Sequence, residues 1–123
     1  MSPLAPTLQK FFTDRLLTQR QVSPATVAVY RDTFRLLLGF IADTKKLAPA
    51  SLDFADLDAP TIGAFLTHLE TERANSARTR NARLAAIHSL FRFAALQHSE
   101  HAELISRVLA IPQKRFDRGF VTF

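Results

Sequence analysis

The chain has 123 residues, about one domain's length, and 47% of them are hydrophobic, which excludes two independent domains and a disordered or low-complexity chain. The absence of cysteine excludes a disulfide framework, a thiolate zinc site, an iron–sulfur cluster and a cysteine nucleophile, and the setting expected is cytoplasmic. The net charge of +5 is uneven: eight basic residues meet eight acidic ones up to residue 75, but eight meet only three from residue 76 onward.

Apolar residues recur at helical spacing almost throughout, which predicts an all-α domain, a small bundle of four to five helices. The first helix is expected from Thr7 to Gln19, with Leu8, Phe11, Phe12 and Leu16 on one stripe. Ser23 and Pro24 mark the next start, because a serine oxygen caps free N–H groups and proline suits the first helical position. Val27, Tyr30, Phe34, Leu37 and Ile41 then share a face, and Gly39 is read as permitting close helix approach. After the polar Asp43–Lys46 run, a loop around Pro49 should tuck Leu52, Phe54 and Leu57 onto the core.

A third helix opens with Asp58 and Pro60, carries Ile62, Phe65, Leu66 and Leu69, and gives way over Glu70 to Asn75. The longest runs from a cap at Ser76 to about Gln97, and a short fifth covers about His101 to Ala110. No run approaches the roughly 18 apolar residues of a membrane span, and the N-terminus lacks the pattern of a signal peptide, so no membrane partner is expected. Residues 1–111 therefore read as a helical domain, and 112–123, basic and then apolar, as a linker and the start of a further domain.

On a helical wheel of the fourth helix, Leu84, Ile87, Leu90, Phe91 and Ala94 cluster on the buried side. Arg78, Asn81, Ala82, Ala85, His88, Ser89 and Arg92 occupy the other side, uninterrupted by any acid. Small residues allow close approach while Arg and Asn reach phosphates and base edges, as a helix lying in a DNA major groove requires. Arg80 and Arg83 project elsewhere, though from the first two turns their long stems reach toward flanking phosphates. The bland alternative is a solvated basic face, and a second is a helical interaction module for an acidic protein partner.

The segment from Ser76 through Arg78, Thr79, Arg80, Asn81 and Arg83 to His88, Ser89, Phe91, Arg92 and Phe93 resembles the last long helix of the N-terminal core-binding domain of tyrosine recombinases, the phage-type integrases. Ser23-Pro24-Ala-Thr26-Val-Ala-Val-Tyr30-Arg31 resembles that domain's Ser-Pro-x-Thr-x-x-x-Tyr-Arg helix. The resemblance covers about residues 7 to 118 and implies a SAM-like bundle that clamps one face of double-stranded DNA while a separate C-terminal domain closes on the other.

It also implies Thr26 and Arg31 on the second helix, and Thr79, Asn81, Arg83, His88 and Arg92 on the fourth, as DNA contacts. Lys114, Arg115 and Arg118 match the family's basic interdomain linker. His88 departs from the family, which more often has Arg or Lys there, and the Asn-Pro expected after the fourth helix is absent. By the same resemblance the parent acts as a tetramer on two duplexes, while this chain alone should be a monomer.

Recombinase chemistry needs a tyrosine nucleophile with Arg, Lys and His around the scissile phosphate. Tyr30, the sole tyrosine, lies on a core stripe and, by the resemblance, in the wrong domain, and the family's catalytic Arg and His-x-x-Arg would fall after residue 123, so this chain is expected to bind DNA, to cut nothing and to need no cofactor. His98, Glu100, His101 and Glu103 crowd together, but they straddle a helix break and read as a polar turn rather than a metal site. Thr26 and Thr79 sit in first turns, where bonding to their caps is the simplest role.

Overall fold

Three helix starts are specified by side chains that accept from otherwise unpaired N–H groups, and all three form as the sequence predicts. Ser23 Oγ accepts from the Thr26 amide at 3.2 Å, Asp58 Oδ1 from Thr61 at 3.0 Å and Ser76 Oγ from Thr79 at 3.1 Å. They open α2 (Pro24–Lys45), α3 (Ala59–Glu72) and α4 (Ala77–Ala95) in a computed structural model that describes residues 2–19 and 21–115. With α1 (Leu4–Lys10) and α5 (Ala102–Leu109), five α-helices and no strand occur among the described residues. Replacing Ser76 with Ala should cost about 1 kcal/mol, a thermal melting shift of about 4 °C, because the Thr79 amide then loses its acceptor.

The first helix begins at Leu4, not Thr7, because the chain before it is pinned. The Leu4 amide donates to the Leu52 carbonyl at 3.2 Å and Phe54 donates to Ser2 at 2.8 Å, so coiling starts immediately after that strap. Pro6 falls in the first turn, where its missing N–H has no intrahelical partner to lose. From Phe11 to Gln19 the backbone widens into a π-helix. Bonds reaching five residues back bring Phe11 and Leu16 toward one side, and both are fully buried.

Two 3-10 turns, Pro49–Ser51 and Phe54–Asp56, carry the loop that buries Leu52, Phe54 and Leu57 as expected. α3 continues to Glu72 through residues read as leaving it, and α4 stops at Ala95, two residues before the expected Gln97. A 3-10 turn, Ser99–His101, occupies the start expected for the last helix, so α5 opens at Ala102. A Cβ placed on Gly39 would meet nothing within 4 Å, so that glycine does not serve a close helix approach.

Phe11 anchors one half of the core, its ring 5.7 Å from Phe12 and Phe93, 6.0 Å from Phe34 and 6.2 Å from Tyr30, on which it stacks. Tyr30 is therefore a packing residue, as its place on the apolar stripe predicts. The central element is α4, which packs against α2, α3, α5 and the π-helical segment. That enclosure buries Ala86 and Phe93 in addition to Leu84, Ile87, Leu90, Phe91 and Ala94, and leaves α4 a single narrow outward face.

Candidate nucleic-acid interface

What remains open on α4 is a stripe at alternating spacings of four and three residues. Arg78, Ala82, Ala85 and Arg92 are exposed and Ser89 is half-buried. Arg78 and Arg92 stand about 21 Å apart along the axis, and none of the residues of α4 is acidic. The surface is convex, with side chains that barely rise above the backbone between two guanidinium groups. The groove of about 460 Å³ between α2 and α3, beside Phe40 and His68, lies elsewhere. A convex, cationic helix face fits a groove in a partner better than a small ligand.

Four residues expected to contact DNA, Asn81 and His88 from the wheel and the resemblance, Arg83 from the resemblance and Arg80 from the reach of its stem, are turned into the structure instead. The Asn81 side chain is buried: Nδ2 donates to the Lys114 carbonyl at 2.8 Å, and Oδ1 accepts from the Lys114 amide at 2.8 Å. Arg83 donates to Thr33 Oγ1 at 3.1 Å and pairs with Asp32 at 3.1 Å, its side chain 16% exposed. Arg80 pairs with Glu70 at 3.5 Å. His88 Nε2 lies 3.0 Å from the Val108 carbonyl and joins α4 to α5. An ideal wheel places residues around an isolated axis, but α4 has neighbours on three sides, so flanking positions become contacts between helices.

The electrostatics follow from those contacts. The hydrogen bond from Arg35 holds Asp32 below the usual carboxylate range; desolvation opposes it, and the hydrogen bond from Arg83 adds to the lowering. Burial pushes the His88 imidazole below its ordinary value; the bond to the Val108 carbonyl opposes this and nearby Arg92 adds to it. A depressed folded value means that the unfolded chain takes up the proton first. The stability contribution is thus intact above about pH 6.5 and falls progressively as pH drops below it. Melts at pH 7.5 and 5.5 should show a smaller acid loss for His88→Gln, which keeps a donor for Val108 but does not titrate.

Thr26 and Thr79 occupy equivalent positions 53 residues apart, each amide capped by a serine three residues earlier and each hydroxyl bonded to that serine, at 3.0 and 3.2 Å. The capping roles expected of them therefore form. Arg31 is exposed on α2 and Arg115 at the end of the described chain, while Arg118 lies outside the described residues.

The basic segment is already engaged, since Lys114 Nζ pairs with Glu70 at 2.5 Å. Glu70 as a shared counter-ion, and Arg15 lying over the Phe93 ring at 5.3 Å, were not foreseen, because nothing local in the sequence signals partners so far apart. The His98–Glu103 cluster joins the N-terminal strap to the turn before α5. His98 Nε2 lies 2.8 Å from Thr7 Oγ1, His101 Nε2 3.1 Å from Ser2 Oγ, and both rings flank Phe54. No three metal-ligating side chains converge among the described residues. No helix among them is long and apolar enough to cross a membrane.

The family described as "Phage integrase, N-terminal SAM-like domain" matches residues 9–98. The protein named "Putative integrase/recombinase y4rC" of Sinorhizobium fredii is 53% identical over 120 residues, covering 98% of this chain and 36% of that protein. "Putative integrase/recombinase y4rD" of the same organism is 46% identical over 112 residues, 91% of this chain and 40% of that protein. The chain thus spans well under half the length of these curated relatives. No solved structure matches it.

Proposed function

The chain belongs to the family of phage-integrase N-terminal SAM-like domains, and from that premise we propose that it is the DNA-binding module of a site-specific tyrosine recombinase. It clamps duplex DNA at a recombination site through α2 and α4, by phosphate neutralisation with limited major-groove readout. The carrying observation is the acid-free outward stripe of α4. Arg78 and Arg92 meet phosphates at its two ends, and Ala82, Ala85 and Ser89 let the backbone approach the groove. Arg31, Lys114 and Arg115 extend the cationic surface, Arg118 is a further phosphate contact in this reading, and the Thr26 and Thr79 hydroxyls border the surface at the starts of their helices.

Arg80, Asn81, Arg83 and His88 act in this reading as supports that orient the helix rather than as readers of DNA. Strand breakage and rejoining belong to the remaining length found in the relatives. This chain binds without cutting, as a monomer when alone, and the parent works in the cytoplasm as a tetramer on two duplexes. The test is titration of a fluorescent duplex at several salt concentrations. Steep weakening with salt, reduced in an Arg78→Ala/Arg92→Ala variant, is the expected result. A flat salt response overturns the reading and favours an acidic protein as partner.

A further inference from the structure

The segment that follows α5 does not simply leave the domain. It returns to the first turns of α4, where one side chain grips its backbone. Asn81 is 8% exposed, and its amide meets the main chain of Lys114 twice, donating from Nδ2 to the carbonyl and accepting at Oδ1 from the N–H, both at 2.8 Å. That reciprocal pair reproduces one rung of a β-ladder with a side chain in place of a strand. Arg80 Nη1 also donates to Oδ1 at 3.2 Å, so both lone pairs of the oxygen are used. Beneath it, Glu70 receives Arg80 at 3.5 Å and Lys114 Nζ at 2.5 Å.

Recognition through the backbone makes the grip indifferent to which side chain stands at residue 114. It selects a place on the chain, 33 residues distant in sequence, and fixes where that place lies. Asn81 is three residues from Arg78 on the same helix, so the docked segment runs within about one helical turn of the N-terminal end of the cationic stripe.

We infer that Asn81 is a positioning residue, a clamp on the chain leaving α5 that sets its exit direction and gathers Lys114 and Arg115 beside Arg78. The clamp itself follows from the geometry, whereas its consequence for DNA rests on the function proposed above. The larger part of the curated relatives lies outside the matched region, so the direction of this exit decides where anything that follows is presented relative to α4.

The experiment uses the chain as it is, by NMR amide exchange, with the Leu90 amide in the core of α4 as internal reference so that global loosening cancels. In Asn81→Ala the Lys114 amide should exchange about tenfold faster relative to Leu90, since its acceptor is gone. Asn81→Asp, which keeps the acceptor for the Lys114 amide but turns the donor to its carbonyl into a second acceptor, should restore only part of the protection, and Glu70→Gln should change it less than Asn81→Ala does. An unchanged Lys114 rate in Asn81→Ala overturns the clamp, as does a larger effect in Glu70→Gln, which would make the ion pair the holding force.

A second arm reads duplex affinity against salt. Loss of about one phosphate contact from the slope in Asn81→Ala is the expected result. A wild-type chain that ignores DNA would remove the function proposed above yet leave the exchange result to decide the clamp.

Discussion

Replacing Phe11 with Ala should destabilise the domain by about 3–5 kcal/mol, the largest effect expected of any single side chain discussed. Phe11 is fully buried, at the junction where α1 widens into the π-helix, and its ring touches aromatic partners from α2 and α4 as well as its neighbour Phe12. Truncation removes the apolar area and also leaves a cavity that the surrounding side chains of α2, α4 and the π-helical segment cannot fully close. A domain of this size has roughly 5–15 kcal/mol in total, so the variant should melt about 12–20 °C lower. Denaturant unfolding followed by circular dichroism measures it. Phe12→Ala, at a half-buried position, should cost clearly less. A loss below about 1 kcal/mol for Phe11→Ala would mean that the aromatic cluster is not the keystone of this half of the core.

The affinity of the chain for duplex DNA should drop about a hundredfold between 50 and 200 mM salt. The figure follows from the exposed cations in the candidate interface: Arg31, Arg78, Arg92 and Arg115 are about four phosphate contacts. Each releases close to one counter-ion, giving a slope of about −3.6 for log affinity against log salt. Arg78→Ala with Arg92→Ala should lower that slope by about two and weaken binding across sequences. Arg83→Ala behaves differently, because its side chain is only 16% exposed and is bonded to Thr33 and Asp32 inside the bundle, whereas Arg78 and Arg92 are exposed to solvent. It should reduce thermal stability and leave the slope nearly unchanged. Equal slopes in all three proteins would remove α4 as the polyanion-binding element.

Helix order, the capping residues Ser23, Asp58 and Ser76, the buried loop leucines and the packing role of Tyr30 were all legible in the sequence. Each depends on residues a few positions apart, where backbone geometry alone dictates who meets whom. The acid-free character of α4 was legible for the same reason. The π-helical turn, the early start of α1 and the inward turn of Asn81, Arg83 and His88 were not.

The start of α1 and the inward side chains answer to partners 20 to 50 residues away: Val108 for His88, Lys114 for Asn81, Thr33 for Arg83 and Leu52 for the amide of Leu4. Local periodicity determined that the fourth helix would carry both a core face and a cationic face. Only the enclosure of that helix by three others decided which cations stay outside, because a side chain at the border between faces takes whichever buried hydrogen-bond partner the neighbouring helix provides.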